Sequence, residues 1–98
     1  LPPDRSKVKV QVLNGAGVAG AAEEMKSLLE EKGYVVIGTG NADNYDYIKT
    51  EIQVKKTLTH VVALLRKELK DVISSPKVTS LDEDDTSDII IIVGSDFE

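Results

Sequence analysis

A chain of 98 residues, 41% hydrophobic and 30% charged, has the make-up of a single soluble globular domain, and folding at this length hides roughly 60–65% of the surface exposed by the unfolded chain. Twelve Lys and Arg against 17 Asp and Glu leave a net charge of −5, the wrong sign for holding a nucleic-acid backbone by counterion release. With no cysteine and one histidine, disulfides, thiol catalysis and thiolate metal sites are excluded, and no apolar run approaches the ~20 residues that span a bilayer.

Leu1 to Ser6 holds two prolines and no periodicity, so residues 1–6 read as a linker and residues 7–98 as one domain. From Lys7, Val8, Val10 and Val12 alternate with Lys9 and Gln11, the pattern of a strand dry on one face and wet on the other. The segment Asn14-Gly15-Ala16-Gly17-Val18-Ala19-Gly20 breaks that strand. Val18, Ala22, Met25, Leu28 and Leu29 then recur at helical spacing up to Gly33, with Glu23 and Glu24 near the positive end of the dipole. Tyr34 to Ile37 predicts a short strand, followed by a polar loop from Gly40 to Asp46. Ile48, Thr50, Ile52 and Val54 alternate with polar residues, predicting a second half-buried strand. Leu58, Val61, Val62, Leu65 and Leu69 form one stripe of a helix over Thr57 to Lys70, with Thr57 as N-cap. The 17 residues from Asp71 to Ser87 are long for a bare connection, so a short fifth strand is expected at 77–79. Ile89 to Val93 is the last strand.

The order β-α-β-β-α-β, with two strands wet on one face, predicts an α+β fold: a two-layer α/β sandwich with both helices on one side of the sheet. Crossover handedness favours the split βαβ, ferredoxin-like arrangement. The final strand is apolar on both faces, which suits a central place beside the first. Its outward residues form an apolar strip, covered either by the acidic loop and Lys stems or by a second protein surface, including that of another copy.

Gly15-x-Gly17-x-x-Gly20 lies between a predicted strand and a predicted helix, as in a dinucleotide fingerprint. That fingerprint needs an acid at the end of the second strand, where Gly38-Thr39-Gly40 stands, and a larger fold than 98 residues supply. Asn14, Gly15, Gly17 and Gly20 equally make a tight strand exit and a close helix start, with free amides that favour a phosphate or carboxylate. The split arrangement would bring the glycine loop, the Gly40–Asp46 loop and the 82–88 segment to one end of the sheet. There Asp43, Asp82, Glu83, Asp84, Asp85 and Asp88 would repel an anion. The acidic segment lacks the Gly and bidentate Glu of a calcium loop, and His60 has no second histidine for zinc. No metal, cofactor or catalytic residue is therefore assigned. Tyr45 and Tyr47 flank Asp46; with Asn41 and Asp43 they form either a shallow sugar-contacting face or a seal at the core edge.

Taken in order, Val12 to Gly20, Lys32-Gly33-Tyr34-x-Val36, Gly40-Asn41-Ala42-Asp43, Tyr47, Thr50-x-Ile52, Asp88-Ile89 and Val93-Gly94-Ser95-Asp96-Phe97 resemble the LytR C-terminal domain family. Ala16 stands where that family usually has Thr, Ala21 where Leu is common, and Val54 where an aromatic is frequent. The resemblance implies a non-catalytic accessory domain of LytR-CpsA-Psr proteins, membrane-anchored bacterial enzymes that attach glycopolymers to peptidoglycan outside the cell. It implies an extracytoplasmic location and a full-length protein with a membrane anchor. As partners it implies cell-wall glycopolymer or an upstream phosphotransferase-like domain, with no membrane contact by this domain itself. The arginine-rich pyrophosphate pocket of those enzymes has no counterpart here, where Arg5 and Arg66 are the only arginines. From the residues themselves, the candidate ligand contacts are Asn14, Gly15, Gly17, Gly20, Asn41, Asp43, Tyr45 and Tyr47, and the alternative use of the domain is self-association through the final strand as a homodimer.

Overall fold

A computed structural model describes residues 8–70, 73 and 76–97; the expected linker at 1–6 lies outside the described residues. In chain order the elements are β1 (Lys9–Asn14), α1 (Ala21–Glu31), β2 (Val35–Asn41), β3 (Glu51–Val54), a 3-10 turn (Lys56–Leu58) leading into α2 (Thr59–Glu68), β4 (Lys77–Ser80) and β5 (Ile89–Val93). The expected short strand near 77–79 is β4. The strands form one sheet in the order β2-β1-β5-β3-β4.

The side-chain alternation read from the sequence fixes the layers. Val10, Val12, Ile52, Val54, Ile89, Ile91 and Val93 share one sheet face and pack with Ala22, Met25 and Leu29 of α1 and Val61, Val62 and Leu65 of α2 in a single buried cluster. Both helices therefore cover the same face, and the α+β two-layer class holds. The other face carries Lys9, Gln11, Leu13, Glu51 and Gln53 around Ile90 and Ile92.

The strand order corrects the split ferredoxin-like expectation. A split unit keeps another strand between the two it joins, whereas β1 and β2 pair directly and in parallel, as do β3 and β4. The chain is two ordinary βαβ units with β5 seated between them, parallel to β1 and antiparallel to β3. The physical reason is the composition of β5, whose five residues are all buried. A strand with nothing polar to turn toward water is best satisfied with partners on both ladder edges. Direct pairing of β1 with β2, and of β3 with β4, leaves that seat open.

Four element boundaries also move. Strand β3 begins at Glu51, so Ile48, expected as its first inward residue, lies outside it and is 76% exposed. Helix α1 begins at Ala21, capped by Gly20 in the left-handed region (φ 81°), so Val18 leaves the expected helical stripe and stands exposed. Helix α2 has no side-chain N-cap bond; Thr57 sits in the 3-10 turn and its hydroxyl donates to Glu83 Oε1 (3.3 Å). Strand β2 runs on through Gly38 and Gly40 to Asn41, its pairing with β1 continuing to Asn14 past a register shift at Gly38, where glycine accommodates a bulge.

The apolar strip on the helix-free face is Ile90 and Ile92. They are 9% and 4% exposed, with Gln11 and Gln53 beside Ile90 and Leu13 and Glu51 beside Ile92. Cross-strand neighbours cover the strip, so the final strand offers little open surface to a second molecule.

Candidate functional site: a cleft at the exit of the first strand

Strands β1, β2 and β5 run parallel, so their carboxyl ends, and the segments leaving them, meet at one edge of the sheet. Ligands of parallel sheets bind at such ends. The first segment is the glycine loop. Asn14 Oδ1 accepts the amides of Ala16 (3.1 Å) and Gly17 (3.2 Å), and Asn14 Nδ2 donates to the Val18 carbonyl (2.7 Å). An asparagine at a strand exit favours this local turn because its side chain mimics a backbone group. Gly17 follows with φ 71°. The amide of Ala21 donates to the same Val18 carbonyl (3.2 Å), joining the loop to α1.

The second segment follows β2. The Ala42 amide donates to the Asn14 carbonyl (3.0 Å), and the Tyr47 amide to the Gly15 carbonyl (3.2 Å). The 42–47 loop is thus strapped across the glycine loop at both ends. The Tyr47 hydroxyl donates to Asp43 Oδ1 (2.8 Å). That bond, then desolvation, then the negative charges of Asp43 and Glu51, hold the Tyr47 phenol above its ordinary pKa. The Tyr47 ring and Ile92 lie so close over Gly15 that a Cβ there would stand 2.7 and 2.8 Å from them, which is why this turn needs glycine.

The third segment follows β5. The amides of Ser95 and Asp96 donate to the carbonyls of Tyr47 (2.9 Å) and Ile48 (3.1 Å). Asp96 Oδ1 accepts both the amide and the hydroxyl of Thr50 (2.9 Å each), and the Thr50 hydroxyl oxygen accepts the Gly94 amide (3.0 Å). This knot ties the start of β3 to the end of β5 and holds the second loop from behind.

Between the first two segments lies an open cleft of about 300 Å³ lined by Asn14, Gly17, Val18, Ala19, Asn41 and Tyr45. Of the expected contacts, Asn14, Gly17, Asn41 and Tyr45 line it, and Tyr45 is 53% exposed. Gly15 and Gly20 shape the backbone without lining the cleft, and Asp43 and Tyr47 pair with each other beside it. The two tyrosines divide the roles that the sequence left open: Tyr47 seals, and Tyr45 presents a ring. Val18 and Ala19 were not expected; the late start of α1 leaves them at the cleft.

The charge pattern also departs from expectation. Because β5 runs parallel to β1, the 82–88 segment that leads into it lies at the opposite end of the sheet from the glycine loop. The Asp88 amide donates to the Lys9 carbonyl (2.8 Å), and Asp88 Oδ2 accepts the Lys9 amide (3.0 Å). Its acids serve local structure: Glu83 accepts the Lys56 amide (2.7 Å), Asp85 the Ser87 amide (2.9 Å), and Asp88 pairs with Lys55 Nζ (3.4 Å). They do not face the cleft, whose lining carries no charged side chain. Among the described residues no group of three His, Cys, Asp or Glu is placed to hold a metal ion, and no helix is long and apolar enough to cross a membrane.

These features define a small α+β domain with a neutral, amide- and aromatic-lined cleft where its parallel strands end. The chain belongs to the LytR C-terminal family, described as LytR cell envelope-related transcriptional attenuator, whose profile matches residues 7–97. No curated protein sequence matches it significantly. Among solved structures it is similar to the soluble domain, residues 71–217, of a conserved hypothetical secreted protein (Rv2700 ortholog) from Mycobacterium marinum, with a TM-score of 0.76 and 20% identity, which shows a shared fold. That likeness covers 99% of this chain and 65% of the other, so the chain spans about two thirds of its neighbour's length.

Proposed function

We propose that the domain is a non-catalytic accessory module of an exported cell-envelope protein, and that it holds an uncharged stretch of cell-wall glycopolymer in the cleft between the glycine loop and the 42–47 loop. The observation that carries this reading is the pairing of an exposed ring, Tyr45, with two asparagines, Asn14 and Asn41, around a cleft without charged lining. A sugar ring offers an apolar face for stacking and hydroxyls for amide hydrogen bonds, so aromatic and amide groups together suit it. An anionic ligand would want a cation there, and the lining has none. Family membership and the secreted neighbour support an extracytoplasmic setting. The glycopolymer of that setting, or a phosphotransferase-like domain upstream in the same protein, supplies the partner.

NMR titration with soluble peptidoglycan glycan fragments tests the reading. Amide shifts are expected at Gly17, Val18, Asn41 and Tyr45, and Tyr45→Ala should abolish them while the remaining spectrum stays that of the folded domain. Spectra unmoved at millimolar fragment would refute glycan binding by this cleft.

A further inference from the structure

Asn14 is followed by Gly15, whereas Asn41 precedes Ala42 and Asn44 precedes Tyr45. Asparagine before glycine is the pairing most open to attack on the side-chain amide by the next backbone nitrogen, because glycine sets no Cβ beside that nitrogen and lets the backbone turn to bring it up. In that reaction the Gly15 nitrogen gives its proton to solvent base and bonds to Asn14 Cγ, and the Cγ–Nδ2 bond breaks as Nδ2 takes a proton and leaves as ammonia. Water then opens the cyclic imide at either carbonyl carbon, giving Asp or the isomer in which the side-chain carbonyl carries the backbone. In the native fold neither reacting group is free. Gly15 is buried and its amide donates to the Val93 carbonyl (2.9 Å), while the Asn14 side chain is held by its bonds to Ala16, Gly17 and Val18.

We propose that the Asn14–Gly15 bond is a latent modification site, kept closed by a hydrogen-bond relay that starts at Asp96. The Val93 carbonyl and the Gly94 amide are the two sides of one trans peptide group. On one side the Gly94 amide donates to Thr50 Oγ1 (3.0 Å), and the Thr50 hydroxyl donates to Asp96 Oδ1 (2.9 Å). On the other side the Val93 carbonyl accepts the Gly15 amide. The Asp96 carboxylate therefore fixes the plane of the peptide group that immobilises the attacking nitrogen. Opening of the β5 exit releases that nitrogen, and the conversion proceeds one way because ammonia is lost. The isomer adds a backbone carbon next to Gly15, where a Cβ would already stand 2.7 and 2.8 Å from the Tyr47 ring and Ile92. Either product puts a carboxylate on a cleft lining that carries no charged side chain. The inference stands whatever the cleft binds.

Peptide mapping by mass spectrometry during incubation at mildly alkaline pH tests it. In urea, Asn14 should convert ahead of Asn41 and Asn44. In the native chain it should convert more slowly than in urea by about tenfold or more, since reaction is confined to the opened fraction. Asp96→Ala should raise the native rate by about tenfold. Leu65→Ala, at a core site away from the relay, measures what global unfolding alone contributes, and Asp96→Ala should exceed it when urea brings the two variants to equal stability. If Asp96→Ala does not fold, Asp96→Asn, which keeps an acceptor oxygen with a weaker bond, takes its place in the comparison. Native conversion as fast as in urea, earlier conversion of Asn41 or Asn44 in urea, or a rate that follows global stability alone overturns the proposal.

Discussion

Asp96 illustrates how a residue outside the cleft governs it. Its Oδ1 accepts two bonds from Thr50, a residue with no exposed surface, and the Thr50 hydroxyl oxygen accepts the Gly94 amide. Asp96→Ala leaves the Thr50 amide and hydroxyl without their acceptor. A bond to a charged group contributes about 1.5–3 kcal/mol, and an unmet buried donor costs about 1–3 kcal/mol. Both bonds end on one oxygen and Asp96 is itself half-buried, so the loss should total about 2–4 kcal/mol rather than the sum of two full penalties. At about 4–5 °C per kcal/mol for a domain of this length, that is a fall of roughly 8–20 °C in Tm. Urea denaturation of the single variants Asp96→Ala and Thr50→Val and of the double variant closes a cycle, with an expected coupling of about 1–3 kcal/mol. A loss below about 0.5 kcal/mol for Asp96→Ala, or strict additivity in the cycle, would refute the knot as a stabilising unit.

The tyrosines should separate by role. Tyr47→Phe keeps the ring over Gly15 and loses the bond to Asp43, so it should cost about 0.5–1.5 kcal/mol, whereas Tyr45→Ala should leave the urea midpoint nearly unchanged and act on ligand alone. Because the folded-state pKa of Tyr47 is raised above its ordinary value near 10, its contribution to stability is complete below that pH. It declines as the solution is made more alkaline, through the folded pKa, since the unfolded chain ionises first. Spectrophotometric titration of phenolate absorbance should show one step, lying above pH 10 in the folded protein, missing in Tyr47→Phe. Gly20→Ala meets no steric neighbour, but its φ of 81° should make it cost about 1–2 kcal/mol by thermal denaturation. Leu65→Ala, at a site with no exposed surface, should cost about 2–5 kcal/mol.

The layer architecture was legible because period-two alternation at Val8, Val10 and Val12 and at Ile52 and Val54 states which face is dry, and a sheet dry on one face takes both helices there. The central place of Ile89–Val93 followed from its composition for the same reason. Strand order was not legible: parallel neighbours and split neighbours ask for the same residues, and the choice depends on which ladder edges remain open once β5 is seated. The start of α1 was misplaced because Val18 and Ala22 fit the helical period, while the left-handed backbone at Gly17 and Gly20, which defers the helix, leaves no mark in a hydrophobic pattern. At the cleft, Asn14 and Gly17 could be found from the turn chemistry and Tyr45 from its neighbours. Thr50 and Asp96 were visible as parts of the family motif, but 46 positions of chain separate the bonded pair, and nothing local joins them.

The direction of β5 connects these two outcomes, because it decides the electrostatics of the cleft. The Asp88 carboxylate accepts the Lys9 amide and its backbone bonds to Lys9 and Lys55, which pins the start of β5 between the start of β1 and the end of β3. Five residues later the Val93 carbonyl accepts the Gly15 amide (2.9 Å) at the other end. Were β5 antiparallel to β1, Asp82, Glu83, Asp84, Asp85 and Asp88 would converge on the Asn14 turn and repel any anionic group of a ligand there. With β5 parallel, those acids stabilise the far end of the sheet, and the Asn14 turn is left with amides, small side chains and one ring. The same composition can therefore surround the Asn14 turn with acids or leave it uncharged, and the direction of a single strand selects between the two.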